Sequence, residues 1–154
     1  MEIMIVQECH IPEIVKLWEE FSRFHEPFDP RFPMVDNARS GYETHLRESL
    51  VAEDTRVLVA LDEGRVVGYV MAMIRKSAPV WKRKRYGYIE EMAVTASSRR
   101  HGVGSLLLKV VLDWFKSENL DMIELSVAAK NKVGYSFWKK HGFKDYLHHL
   151  YLKP

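Results

Sequence analysis

The segment that most restricts the fold is a β-patterned run that ends shortly before two glycines and an amphipathic helix. Residues 86–94 form the predicted strand, and Gly102 and Gly104 precede a helical stripe over residues 105–117. Glycine allows positive φ and a close backbone approach, and the first helical turn carries N–H groups without intrahelical partners. A strand, a glycine turn and a helix N-terminus in this order predict an α/β unit with an anion site at the turn.

The rest of the chain alternates between β-rich runs and helical stripes, with no internal repeat or linker. This order is typical of an α/β fold built on one mixed sheet, mostly antiparallel, with helices on both faces. The strands at 86–94 and 122–127 flank a helix, so we expect them to be the one parallel pair. We predict a single domain over residues 1–154. The predicted strands are 3–7, 57–61, 66–74, 86–94, 122–127 and 146–152, and the predicted helices begin near residues 12, 40, 105 and 131.

Composition excludes several other classes of protein. The 154 residues are 47% hydrophobic and 29% charged, which is the balance of a globular domain. No apolar run approaches the ~18 residues of a membrane span, and no export signal begins the sequence, so we expect a cytoplasmic location without a membrane partner. The net charge of +2 disfavours nucleic acid as a partner, although the basic cluster at 82–85 leaves that alternative open.

Sulfur and histidine usage give no sign of a metal centre. Cys9 is the single cysteine, which excludes an internal disulfide and any zinc site with two thiolates. His148 and His149 are adjacent on a predicted strand and point to opposite faces, so they cannot chelate one ion. We therefore expect no metal.

The glycine turn is not one of two well-known phosphate loops. No lysine follows the glycines as a Walker A loop requires, and Leu107 occupies the third small position of the dinucleotide fingerprint. Arg99 and Arg100 precede the turn and could pair with a phosphate. The alternative is a tight turn between strand and helix with no ligand.

Two segments resemble the GNAT N-acetyltransferase superfamily. Residues 99–104, Arg-Arg-His-Gly-Val-Gly, resemble its Arg/Gln-x-x-Gly-x-Gly/Ala loop. Residues 131–143 resemble its Asn-x-x-Ala-x-x-Phe-Tyr-x-x-x-Gly-Phe helix, and the element order is similar over essentially the whole chain. The resemblance implies acetyl-CoA as cosubstrate and a primary amine of a small molecule or peptide as acceptor.

The resemblance also implies which residues contact the coenzyme. They lie at the end of the strand at 86–94, in the glycine turn and on the last helix. Asn131 could instead, or in addition, cap the last helix, and His101 could be an exposed loop residue. The implied coenzyme-binding residues are Met92, Ala93, Val94, Arg99, Arg100, His101, Gly102, Val103, Gly104, Ser105, Asn131 and Trp138.

A carboxylate is the expected general base, because an alkyl ammonium must lose a proton before it attacks the thioester. Strand alternation puts Glu90 on the face opposite Glu91, so only one of them is expected on the active face. By resemblance Glu90 is the base, acting through water, with Glu91 as the alternative.

The expected general acid is missing at its usual place. Trp138 stands where the resemblance implies a tyrosine, and an indole does not give up its proton in practice. Tyr135, one helical turn earlier, is the substitute candidate, and water is the other. An acetyl-CoA-binding regulatory module with weak or no chemistry is the alternative function.

The connection between the first two helices is a candidate acceptor lid. Its three prolines in residues 27–33 exclude a regular helix, and Phe28 and Phe32 could line the lid or pack in the core. Ser40 and Glu43 have the spacing of a capping box, which predicts that the second helix starts there. The lid or the last strand could also support a homodimer.

Overall fold

The computed structural model describes residues 1–31 and 33–154, and it contains one five-stranded sheet. The strands lie side by side in sequence order, from β1 to β5. They are β1 (Glu2–Ile5), β2 (Thr55–Asp62), β3 (Arg65–Lys76), β4 (Arg85–Val94) and β5 (Ile123–Leu125). The helices are α1 (Ile11–His25), α2 (Ala38–Val51), α3 (Val103–Ser117) and α4 (Lys132–Lys140), with short 3-10 turns at Glu8–His10 and Ala96–Ser98.

Strand pairing confirms the predicted mixed sheet. The pairs β1–β2, β2–β3 and β3–β4 are antiparallel, whereas β4 and β5 are parallel and are connected through α3. Parallel neighbours need such a crossover because a tight turn makes the next strand antiparallel. None of the described helices is both long enough and apolar enough to cross a bilayer.

The sheet separates two hydrophobic cores, as strand alternation requires. In β2, Val57 and Val59 pack on the side of α1 and α2, and Leu58 and Ala60 pack on the side of α3. Both faces of the central strands are therefore buried, and helices cover both faces as predicted.

The predicted last strand is wrong. Residues 143–154 follow α4 without regular secondary structure. The run at 146–152 has the composition of a strand, but a strand is stable only when a neighbour accepts its backbone hydrogen bonds. Here it pairs with no strand of the described chain.

The predicted start of α2 is two residues too late. The helix begins at Ala38 after Asn37, so Ser40 lies inside the first turns and its carbonyl accepts a hydrogen bond from Thr44. Glu43 pairs with Arg47 one turn later, at 2.8 Å, so its carboxylate does not close a capping box. An i,i+4 ion pair takes the place of the predicted cap.

Close packing of α3 on β4 depends on a glycine. A Cβ built on Gly87 would lie 2.8 Å from ring carbons of Phe115, which is fully buried in the α3-side core. Real Cβ atoms do not approach a ring this closely, so Phe115 fits only because position 87 has no side chain.

We expect Gly87→Ala to lower the free energy of unfolding by about 1 to 3 kcal/mol, because the added methyl overpacks a rigid core. Urea denaturation measures this change. Gly41→Ala is the matched control, since Gly41 is exposed on α2 and no atom of the described residues lies within 4 Å of its Cβ position. That variant should keep or raise stability, and equal losses in both variants would contradict the close-packing explanation.

Candidate functional site

The site begins where β4 and β5 separate. The two strands pair only at Gly87–Ile123, Tyr88–Glu124 and Ile89–Leu125. Because β5 ends at Leu125 and β4 continues to Val94, the β4 edge along residues 90–94 has no partner on that side within the described chain. An extended ligand can therefore pair with the backbone of β4 in this opening.

A β-bulge in β4 lies at the same point. Met71 of β3 is opposite Glu91, but the next residue, Ala72, is opposite Ile89, so Glu90 is the extra residue. Ile89 and Met92 consequently both belong to the α3-side core. Regular alternation along β4, on which the prediction for Glu90 and Glu91 relied, is interrupted here, because a bulge reverses the order of faces.

Both glutamates of the bulge contact α2, which corrects the expectation that only one of them could share a face with the site. The Tyr42 hydroxyl donates a hydrogen bond to Glu91 Oε1. His45 Nε2 lies 3.6 Å from Glu90 Oε2. Tyr42 and His45 are three residues apart and therefore share one face of the helix.

Glu91 is enclosed by aromatic side chains. Tyr42 stacks on Trp18 of α1 with ring centroids 4.1 Å apart, and its hydroxyl oxygen lies 3.2 Å from that of Tyr69 in β3. Burial raises the pKa of Glu91 to about 7, although hydrogen bonds from Tyr42 and Tyr69 oppose the rise and the charge of Glu90 adds to it. Glu91 is thus a partly buried acid whose pKa lies near neutral pH.

Glu90 differs from its neighbour because it is open to solvent. Its side chain is 31% exposed, and the 3.6 Å approach of His45 is the ion-pair contact made by its carboxylate in the described structure. A carboxylate that water can reach, next to an imidazole that is itself half exposed, can exchange protons with bulk solvent.

The glycine turn has the geometry of an anion site. Gly102 is the N-cap of α3 with φ +84°, and no side chain in the described part of the chain caps the helix. The N–H of Leu106 bonds Gly102 O at 3.0 Å, so the N–H groups of residues 103–105 precede the first intrahelical bond. They and the helix dipole favour a negatively charged group at this end.

The residues that flank the turn supply positive charge, and one of them connects the turn to β4. Arg99 Nε donates to the carbonyl of Val94 at 3.1 Å, which joins the loop to the end of the strand. Arg100 adopts φ +66°, and Arg100 and His101 are exposed at the rim. The structure therefore brings the predicted loop residues next to the β4 opening.

The start of α3 also contacts α4. A Cβ on Gly104 would lie 3.3 Å from the ring of Phe137 and 3.8 Å from Met92 Sδ. Ser105 Oγ lies 3.0 Å from His141 Nε2. The end of β4, the start of α3 and one face of α4 therefore meet at the glycine turn.

Asn131 confirms the capping alternative. Its Oδ1 accepts a hydrogen bond from the N–H of Gly134 at 2.9 Å, and its side chain is buried. Its Nδ2 lies 3.2 Å from His25 Nε2, while His25 Nδ1 lies 2.8 Å from the carbonyl of Phe21. Asn131 thus connects the N-terminus of α4 to the C-terminal end of α1.

The predicted substitute acid is already engaged elsewhere. The Tyr135 hydroxyl donates to Asp145 at 3.0 Å, and Lys139 Nζ lies 3.4 Å from the same carboxylate. Tyr135 is 41% exposed, whereas Trp138 packs against Phe137 in the α3-side core. This geometry does not support Tyr135 as the proton donor.

Sequence reasoning missed the groups that surround the carboxylates. Tyr42, His45 and Tyr69 come from α2 and β3, far from Glu90 in sequence, and only the three-residue spacing of Tyr42 and His45 hinted at a shared face. In the candidate lid, Phe28 lies edge-on to Phe24 at 5.1 Å. Phe32 lies outside the described residues.

A comparison with known families and proteins identifies the type of chain. Residues 14–143 match the Acetyltransferase (GNAT) family. The N-terminal acetyltransferase complex ARD1 subunit homolog of Dictyostelium discoideum is 32% identical over 91 residues. These residues are 58% of this chain and 39% of that relative, so the chain spans well under half of its length.

Solved structures share the fold at low sequence identity. A mutant of the BH1408 protein from Bacillus halodurans has a TM-score of 0.91 at 20% identity, covering 100% of this chain and 99% of that one. An aminoglycoside 6'-N-acetyltransferase from Acinetobacter haemolyticus has a TM-score of 0.80 at 16% identity, covering 100% of this chain and 98% of that one. A predicted acetyltransferase with acetyl-CoA from Clostridium acetobutylicum has a TM-score of 0.80 at 20% identity, covering 99% of this chain and 95% of that one.

The raised pKa of Glu91 makes stability depend on pH. Between the ordinary pKa of 4.5 and the folded value of about 7, the folded state binds more protons than the unfolded state. Stability from this group therefore falls as pH rises. From pH 5 to 8 we expect the wild-type free energy of unfolding to fall, relative to that of Glu91→Gln, by about 2 to 3 kcal/mol.

Urea denaturation at several pH values measures this difference. The subtraction removes other titrating groups, such as Asp29 and Asp121, because both proteins carry them. Parallel pH profiles in the two proteins would show that Glu91 titrates at an ordinary value and would contradict the burial argument.

Proposed function

We propose that this chain, which belongs to the acetyltransferase (GNAT) family, is an acetyl-CoA-dependent N-acetyltransferase whose acceptor is a primary amine of a small molecule or peptide. Related proteins support both acceptor classes. They include aminoglycoside N-acetyltransferases and a homolog of an N-terminal acetyltransferase complex subunit. We also propose a cytoplasmic location, which rests on the sequence.

The observation that carries the proposal is the opening of β4 beside the N-terminus of α3. The free β4 edge at residues 90–94 and the uncapped turn at Gly102 are joined through the Arg99–Val94 contact. An extended ligand with a phosphate group matches both features. When bound, acetyl-CoA supplies the acetyl group as a thioester.

The proposed coenzyme contacts divide between backbone and side chains. The N–H groups of residues 103–105 and the guanidinium groups of Arg99 and Arg100 would hold the pyrophosphate. Backbone groups of residues 92–94 would pair with the extended arm, and an N–H near Met92 would donate to the carbonyl oxygen as it gains charge. His101, Asn131 and Trp138 complete the proposed set from the loop and α4.

Glu90 is the proposed base because its environment suits proton transfer better than that of Glu91. Glu90 is solvent-accessible and lies next to His45, which can pass the proton to bulk water. Glu91 is partly buried and its carboxylate already accepts the Tyr42 hydrogen bond, so it is less accessible to an incoming amine than Glu90 is. Glu91 instead adds negative charge beside Glu90 when it ionises.

The leaving thiolate is proposed to depart without a tyrosine acid. Tyr135 is bound to Asp145, and Trp138 offers only an indole N–H. A thiol has a pKa near 8.5, so a thiolate can leave with hydrogen-bond help and take its proton from water.

The missing tyrosine acid favours a second candidate function. A chain without a tyrosine acid at the thiolate could bind acetyl-CoA and act as a regulatory or interaction module with little chemistry. Thiol release in the presence of amines separates the two functions, because only an enzyme releases CoA in proportion to the acceptor consumed.

We expect Glu90→Gln to lower kcat by about 100-fold or more, since a general base contributes that much, while acetyl-CoA affinity changes little. CoA release from acetyl-CoA with a panel of small-molecule and peptide amines measures turnover, and calorimetry measures affinity. Glu43→Gln is the matched control, because Glu43 also lies on the α2 side and pairs with Arg47.

Three outcomes would overturn parts of this proposal. Unchanged turnover in Glu90→Gln, with a large loss in Glu91→Gln, would assign the base to Glu91. Equal loss of affinity and turnover would make Glu90 a binding residue. Tight acetyl-CoA binding by the wild type without CoA release for any amine would favour the regulatory module.

A further inference from the structure

Arg75 is the arginine that the fold shields most from solvent. It is partly buried, whereas every other arginine of the chain is exposed. It lies near the end of β3, next to Ile74, which packs in the α3-side core. Strand alternation therefore turns the Arg75 side chain to the side of α1 and α2. A guanidinium that is shielded from water needs an anionic partner, because removing a charge from water is costly.

The described residues supply no such partner. Arg75 makes no ion pair with any of their carboxylates, and its guanidinium instead stacks on the ring of Tyr88 in β4, with Cζ 3.4 Å from the ring centroid. A ring covers one face of the guanidinium plane and leaves the N–H edges free to donate. The arginines that do pair with a carboxylate are Arg31, Arg39, Arg47, Arg83 and Arg85.

Tyr88 places the guanidinium beside the β4 opening. Tyr88 comes one residue before the last β4–β5 pair, and its hydroxyl lies 3.3 Å from Ser126 Oγ, just after the end of β5. Glu90 follows Tyr88 by two residues, about 6 to 7 Å of extended strand. Both side chains lie on the side of α1 and α2, because Ile89 between them packs in the α3-side core and Glu90 contacts α2.

This face of β4 therefore carries opposite charges at its two ends. Glu90 is negative and attracts an ammonium group, and the guanidinium of Arg75 attracts an anion. The single positive charge of Arg75 matches a carboxylate. A phosphate dianion would leave surplus negative charge close to Glu90 and Glu91. A ligand that fits both ends has an amine and a carboxylate a few ångströms apart.

We propose that Arg75 binds the carboxylate of the acceptor, and that the acceptor is an amino acid whose amine and carboxylate are separated by a short alkyl chain. This inference rests on the proposed acetyl transfer and names its substrate class. The amine lies at Glu90, which takes its proton as the N–C bond forms, the C–S bond breaks and the CoA thiolate leaves. Arg75 holds the other end of the substrate through two N–H donors, so it sets specificity.

The first test compares amino acids with their uncharged amides as acceptors. CoA release is measured with glycine, β-alanine, γ-aminobutyrate and δ-aminovalerate, and with the carboxamide of each. For γ-aminobutyrate or δ-aminovalerate we expect kcat/KM to exceed that of the matched carboxamide by about 10- to 100-fold, mainly through KM, because a charge-assisted hydrogen bond contributes that much.

Variants of Arg75 test which residue makes the distinction. Arg75→Gln should remove the preference for the carboxylate, and Arg75→Glu should reverse it in favour of the diamine of equal length. Arg56→Gln is the matched control, because the Arg56 guanidinium also stacks on an aromatic ring, 4.9 Å from the centroid of Trp114, but on the α3 side of the sheet. This variant should keep the wild-type preference. Circular dichroism and acetyl-CoA affinity should be unchanged in all three variants.

A binding measurement tests the site without turnover. Calorimetric titration of δ-aminovalerate into the CoA-saturated protein should show saturable binding, weakened by about 10-fold or more in Arg75→Gln.

The outcomes separate this inference from the proposed function. CoA release with simple alkylamines or carboxamides as fast as with the amino acids would overturn the inference and leave the transferase function standing. A carboxylate preference that survives in Arg75→Gln would overturn it too. If no amine releases CoA, the transferase function fails, and δ-aminovalerate binding that depends on Arg75 would still support the carboxylate site.

Discussion

The extra residue at Glu90 is the irregularity on which the arrangement of the site depends. It lets two consecutive carboxylates face α2, while Ile89 and Met92 both pack on the side of α3. A bulge bends its strand and increases the local twist. β4 and β5 pair for the last time at Ile89 and Leu125, so the bend and the opening coincide. In a regular β4 the two glutamates would lie on opposite faces of the sheet.

The two carboxylates of the bulge are held in different environments by one helix. Tyr42 shields Glu91 from water, and the pKa of Glu91 rises to about 7 because its charged form is desolvated. His45 lies beside Glu90, which keeps contact with solvent. Different environments move the pKa values of neighbouring acids apart, and in this way proteins give different roles to chemically identical groups.

Local patterns predicted the element order up to the last helix, the parallel pair and the glycine turn, because periodicity and glycine placement are properties of neighbouring residues. The bulge could not be predicted, since it depends on the register of β3 against β4. Tyr42 and Tyr69 reach Glu91 only through the packing of α2 and β3. The run at 146–152 fails in the opposite way: its strand pattern is clear, yet no strand within the described residues pairs with it.

The central claim is that the β4 opening and the α3 N-terminus form one acetyl-CoA site. Calorimetric titration of acetyl-CoA into the wild type and into Arg99→Glu/Arg100→Glu tests it most directly. Lys76→Glu is the charge control, because the exposed Lys76 lies opposite Arg85 at the end of β3 that is remote from the opening. We expect saturable binding by the wild type and the control, and its loss in the double variant. No binding by the folded wild type, or equal affinity in all three proteins, would contradict the claim.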